Sequence, residues 1–284
     1  MLILSKDLEE VSKRLIYSQV EQIVKGRSFI LIDSACINII LTISTILLLL
    51  ASSTTTTLLL GQSSVLALDL YDDFEDPAYT ITDNQTSPNG KWLNKYSGFG
   101  ASGAVTITSL TITDNNTVFY EEPKTSTHPN ETHAALTLTT QTYEDMQMHL
   151  KVKTNKQLRQ NSTPNPWEVA WIIWRYQDDW HHYYFIFKPN GVELGKKQNE
   201  NQAEEQIFLY TANEPKLKID EWNTWYIKMS GNHIEIWLKM ADGSMQRIVD
   251  YHDNAPIVGP GNIGLYTEDA HVHFDDVYTA SLSS

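Results

Sequence analysis

The chain has 284 residues, 41% of them hydrophobic and 20% charged, enough for one large domain with its own core plus an appendage. Its formal net charge of −14 disfavours nucleic acid as a partner, and its single cysteine, Cys36, excludes an intrachain disulfide framework. The charge is uneven: residues 1–68 hold five of the 21 Lys/Arg and five of the 35 Asp/Glu, so the remainder, with 16 basic against 30 acidic groups, carries all the acidity.

Residues 1–28 are polar, with Leu8, Val11, Leu15, Val20, Ile23 and Val24 at rough helical spacing, and read as a short cytosolic segment. Residues 29–51 form the one membrane candidate, mainly apolar from Ile37 to Leu50; a helix needs ~20 such residues to cross a bilayer. Lys25 and Arg27 precede it and keep the N-terminus inside. The long leader fits a signal anchor; a cleaved signal peptide, cut near Ala51–Ser53 or Val65–Ala67, is the competing reading. Residues 52–66, with four consecutive threonines, read as a linker that cannot build a core.

From residue 67 to 284 the pattern is all-β. Apolar or Thr-rich runs are expected as strands at Val65–Tyr71, Ala104–Ile112, Ala134–Thr140, Gln147–Lys153, Trp167–Tyr176, His181–Lys188, Val192–Lys196, Gln206–Tyr210, Thr224–Ser230, His233–Lys239, Gln246–Tyr251, Asn262–Thr267 and His271–Ala280. Turn formers separate them, among them Ser87-Pro-Asn-Gly90, Pro189-Asn-Gly191 and Gly259-Pro-Gly261. More than ten strands without an internal repeat predict an antiparallel sandwich or barrel. Four Asn-x-Ser/Thr acceptors, at Asn84, Asn115, Asn130 and Asn161, fit an extracytoplasmic glycoprotein domain, anchored in the membrane by the N-terminal helix or secreted after cleavage.

The stretch Pro164–Lys197 carries the functional reading. Side chains alternate along a strand, so the apolar sides of Trp167–Tyr176 and His181–Lys188 must fall on one side. Pairing Tyr176 with His182 across a five-residue loop, Gln177–His181, sends Val169, Trp171 and Ile173 inward with Tyr183, Phe185 and Phe187. The opposite face then gathers Glu168, Trp174, Tyr176, His182, Tyr184, Lys188 and Glu193. Aromatic planes beside carboxylates, an ammonium and an imidazole suit a polyhydroxylated ligand, a glycan or polysaccharide. An aromatic-rich sheet with an ordinary polar surface has the same composition. Glu168 and Glu193 also raise an enzyme alternative, because glycoside hydrolases work with a carboxyl pair ~5–9.5 Å apart. A purely structural surface protein is the third class.

Two metal readings follow from the sequence. Acidic clusters open and close the domain, Tyr71-Asp-Asp-Phe-Glu-Asp76 and His273-Phe-Asp-Asp-Val277. If first and last strands are neighbours, Asp73, Asp275 and Asp276 with backbone carbonyls would offer oxygens to a structural Ca²⁺. His271 and His273 face one side of a strand, as a zinc pair needs, with His181, His182 or His252 as third-ligand candidates. No phosphate-cradling glycine loop and no nucleophile elbow is present.

Pro164–Lys197, Ile219-Asp-Glu-Trp222, Gly264–Ala270 and His273–Val277 together resemble the concanavalin A-like jelly rolls of secreted proteins, including laminin G-like and 3-keto-disaccharide hydrolase-type domains, over about residues 69–284. The resemblance implies two antiparallel sheets, one able to bind glycans, and a structural Ca²⁺ near Asp275 with the Asp72–Glu75 segment opposite. The laminarinase-type Glu-x-Asp-x-x-Glu strand is absent; Glu168-Val-Ala-Trp stands in the most similar place, so that activity is not implied.

Overall fold

The computed structural model describes residues 69–75, 77–99, 117–199 and 206–282. The chain divides into two units, Met1–Ser64 and Val65–Ser284, and every described residue lies in the second. Expectations for residues 1–66, the strand at Ala104–Ile112 and the acceptor Asn115 therefore lie outside the described residues. Among the described residues no helix is long and apolar enough to cross a membrane.

Among the described residues fourteen strands follow one another: β1 Leu70–Asp72, β2 Trp92–Tyr96, β3 Phe119–Glu121, β4 Ala134–Tyr143, β5 Met146–Gln157, β6 Ala170–Asp178, β7 His181–Lys188, β8 Gly191–Gln198, β9 Ile207–Ala212, β10 Asn223–Ser230, β11 His233–Lys239, β12 Met245–His252, β13 Gly261–Glu268 and β14 Ala270–Ser281. They form two antiparallel seven-stranded sheets. One has the order β1-β14-β5-β10-β11-β12, with β3 also on β14; the other runs β2-β4-β13-β6-β7-β8-β9. β1 lies beside β14, so the domain's first and last strands are neighbours. Two strands were not expected from the sequence, β2 and β3, because each is a short run among polar residues.

The core lies between the sheets. From the second sheet it takes Ile172, Trp174, Tyr183, Phe185, Leu194 and Leu265; from the first it takes Leu150, Trp225, Ile227, Met229 and Ile236. Trp225 meets Phe185 edge-on at 5.2 Å, and the Trp174 indole donates to the Met229 sulfur at 3.1 Å.

The parity expected for β6 is therefore corrected. β6 and β7 pair Ile172 with Phe185 and Trp174 with Tyr183, one residue out of the register that a Tyr176–His182 pairing would carry back along β6, so Trp174 faces the core and Trp171 and Ile173 face out. The cause is a β-bulge at Arg175, whose φ is +46°. The extra residue sits against Gly261, where a Cβ would come within 2.4 Å of the Arg175 carbonyl carbon. The Arg175 guanidinium holds the bulge by donating to the carbonyls of Glu144, Ile257 and Gly231 and to Asp145 Oδ1. Beyond the bulge the alternation reverses, so Tyr176 does share a face with His182, their rings stacked at 5.7 Å. The loop between β6 and β7 shrinks to two residues, with Asp178 opposite His181.

Candidate functional site

The outer face of the second sheet is built on β13, β6, β7 and β8. Trp171 is its centre. Its ring lies 5.1 Å from Tyr184 and 5.2 Å from Tyr266, edge-on to the latter. These positions follow from register: Trp171 opposes Ile186 on β7 and Tyr266 on β13. Gly195 opposes Tyr184 and leaves room for its phenol, whose oxygen lies 2.2 Å from where a Cβ would stand. The Trp171 indole donates to the Trp167 carbonyl at 2.8 Å, drawing the Pro164–Trp167 segment to the rim. Trp167 is 43% and Phe208 60% exposed, so the rim offers apolar planes to solvent.

A groove of 340 Å³ opens there, lined by Trp167, Trp171, Lys188, Glu193, Phe208 and Glu268 among others. A smaller hollow of 70 Å³ adjoins it, with Tyr96, Tyr176, His182 and Lys197 in its walls; Trp171, Gln206 and Glu268 line both. The two carboxyls of the groove have different surroundings. Glu193 accepts from the Lys188 ammonium through Oε2 and from the Tyr184 hydroxyl through Oε1 at 3.3 Å. Glu268 accepts from the Tyr266 hydroxyl at 2.6 Å, and burial pushes its carboxyl up to about 7, the Tyr266 bond only partly offsetting this. Burial also lowers the His182 imidazole to about 4, so this ring is neutral at pH 7; its Nδ1 lies 3.2 Å from the Asp178 carbonyl oxygen.

Five of the seven sugar-face residues expected from sequence do line this face: Tyr176, His182, Tyr184, Lys188 and Glu193. Two do not. Trp174 is fully buried in the core, for the reason given above. Glu168 is fully buried too: Arg159 Nε donates to it at 2.6 Å and Asn165 Nδ2 at 2.8 Å. Arg159 also donates to Asp269 at 3.1 Å and to the carbonyls of His128 and Glu131, so this is a buried structural clamp. Glu168 and Glu193 are therefore not a carboxyl pair in one groove; Glu193 and Glu268 are. Glu268 and Tyr266, two residues apart on β13, were legible as an outward-facing pair had β13 been placed beside β6.

The oxygens expected for Ca²⁺ are engaged by protein partners in this structure: Lys151 Nζ lies 2.5 Å from Asp276 Oδ2 and 3.7 Å from Asp275 Oδ2. Asp73 Oδ1 accepts from the Glu75 amide, and Asp72 is taken up by Trp92 Nε1 at 2.7 Å and Asn89. His271 and His273 contact each other, Nε2 to Nε2, at 3.2 Å, with Asn155 on His273 and Glu122 3.9 Å from His271. His181 and His182 lie on the other sheet and His252 beside His233, so none of them completes a zinc set. The acceptors Asn84, Asn130 and Asn161 are exposed.

The 3-keto-alpha-glucoside-1,2-lyase-like domain model matches residues 83–279 of the chain. The chain belongs to that family. The match runs from just before β2 to within β14, and so includes every strand that builds the groove. Similar solved structures include a carbohydrate binding module, CBM66, from Bacillus subtilis (14% identity, 70% of this chain and 98% of that one, TM-score 0.45). A beta-glucanase from Bacillus licheniformis (12%, 71% and 98%, TM-score 0.43) and a seed lectin from Lotus tetragonolobus (7%, 70% and 96%, TM-score 0.43) are others. No curated protein matches the sequence.

Proposed function

We propose that the outer groove of the second sheet binds a carbohydrate, with the ligand's rings against Trp167 and Trp171 and its hydroxyls bonded by Glu193, Lys188, Gln206 and Glu268. The observation that supports this most is the geometry of the groove itself: apolar ring faces at the rim and floor, with carboxyl, amide and ammonium groups converging between them. The family description directs the ligand class to glucosides. Calorimetric titration of the full chain with α- and β-glucosides tests the reading. Binding by the native chain that weakens in Trp171→Ala is expected; no glucoside bound by the native chain would defeat it.

A second reading, catalysis, is favoured by one specific contrast. Glu268, its carboxyl raised to about 7, is suited to giving a proton at neutral pH, while Glu193 is held by an ammonium. On a 3-keto-α-glucoside, one carboxyl would take the C2 proton beside the ketone while the other protonates the departing glycosidic oxygen, forming a C1–C2 double bond. Release of the aglycone that vanishes in Glu268→Gln supports this reading; binding without turnover leaves the site a lectin-like one. We read the domain as displayed outside the cytoplasm, on the 29–51 segment as an anchor or released from it, which the exposed acceptors Asn84, Asn130 and Asn161 support.

A further inference from the structure

The β11–β12 hairpin lies at the edge of the first sheet, on the sheet that does not carry the glucoside groove. Its register places His233 directly opposite His252 and Glu235 opposite Asp250. Because side chains alternate with period two, His233, Glu235, Asp250 and His252 share one face. The two imidazoles stack at 4.1 Å with planes 7° apart, and His233 Nε2 lies 2.7 Å from Asp250 Oδ1. One donor atom from each of His233, Asp250 and His252 falls within 4.8 Å of the others, the one such group of three among the described residues.

We propose that His233, His252 and Asp250 form a site for a borderline divalent transition cation, Zn²⁺ or Cu²⁺. Two imidazole nitrogens and one carboxylate oxygen are the donors such ions take, at ~2.0–2.2 Å each; Ca²⁺ and Mg²⁺ prefer oxygen alone. Three donors on one ion stand about 3–4 Å apart at those bond lengths. The His233–Asp250 pair is already closer than that, and rotation of exposed side chains brings in His252. Arg247 forms an ion pair with the other oxygen of Asp250 at 2.9 Å and donates to Glu235 at 3.2 Å, which leaves Oδ1 toward the histidines. A carboxylate paired with an outer partner in this way suits a metal ligand. The site faces solvent, so water completes the coordination. The ion would join residues 233 and 252 at the open end of the hairpin and clip β12, the edge strand among the described residues, to β11.

Calorimetric titration of the chelator-stripped full chain with ZnCl₂ tests the proposal. One ion per chain is expected. At least a tenfold loss of affinity should follow each of His233→Ala and His252→Ala, with no change in the His271→Ala/His273→Ala double variant. Zn²⁺ should raise the melting temperature of the native chain and not that of His252→Ala. With Cu²⁺, electron paramagnetic resonance should resolve coupling to two nitrogens in the native chain and one in His252→Gln. Failure of the native chain to bind either ion, affinity within twofold of native in both single variants, or loss of the ion in the His271/His273 variant instead would overturn the assignment.

Discussion

Replacing Glu268 by Gln should stabilise the protein, and more so as pH rises. The folded carboxyl titrates at about 7 against an ordinary 4.5, because it is buried beside Tyr266 in the groove floor. Between those values the folded state holds a proton that the unfolded state has lost, so stability falls as pH rises through this window and the full penalty is present above it. The gap of about 2.5 units corresponds to ~3.4 kcal/mol at ~1.36 kcal/mol per unit. Glu268 borders an open groove, and water there reduces the effect to about 2–3 kcal/mol. Glutamine keeps the shape and an acceptor for the Tyr266 hydroxyl, and cannot ionise. Denaturant unfolding of both full-length chains at pH 5, 6, 7 and 8 should put the variant ahead by about 1 kcal/mol or less at pH 5. At pH 8 the variant should be ahead by about 2–3 kcal/mol, roughly 5–10 °C in melting temperature for a domain of this size. All other titrating groups are common to both chains and cancel in the difference. Two parallel curves across this range would refute the burial of Glu268 and, with it, the proton-donor role.

Trp174→Ala should cost about 3–5 kcal/mol of stability, as for other large buried rings, measured by the denaturation midpoint. Trp171→Ala should also cost stability, because the ring is only 4% exposed, and should in addition weaken glucoside binding by roughly 1 kcal/mol, about fivefold in Kd, by titration calorimetry. Binding weakened in Trp174→Ala and kept in Trp171→Ala would reverse the parity described for β6. Arg159→Met should cost about 3–5 kcal/mol, since it leaves Glu168 and Asp269 buried without their cation; a melt within 1 °C of native would count against the clamp. Added Ca²⁺ should leave the melting temperature unchanged because Lys151 already sits between Asp275 and Asp276; a saturable rise lost in Asp275→Asn would contradict that placement.

Much of the architecture was readable from local pattern alone. Alternating aromatic and β-branched runs between Gly, Pro and Asn turns set the all-β class, and β7 and β11 begin and end where their sequence runs do. The parity of β7 and β8 was legible as well, because alternation sends Phe185, Phe187, Val192 and Leu194 to one side; His182, Tyr184, Lys188 and Glu193 share the outer face as expected. Two things depended on contacts distant in sequence. The bulge at Arg175 is held by carbonyls 31, 56 and 82 residues away and packs on Gly261, and one inserted residue exchanges the faces of Trp171 and Trp174. The position of β13 between β4 and β6 brings Tyr266 and Glu268 into the groove, and the Arg159 clamp takes Glu168 out of it. Period-two alternation is a local property of the chain, so residues near in sequence determine it. Register across a bulge, and the neighbour a strand acquires, are chosen by packing and by hydrogen bonds that form only once the sandwich has closed.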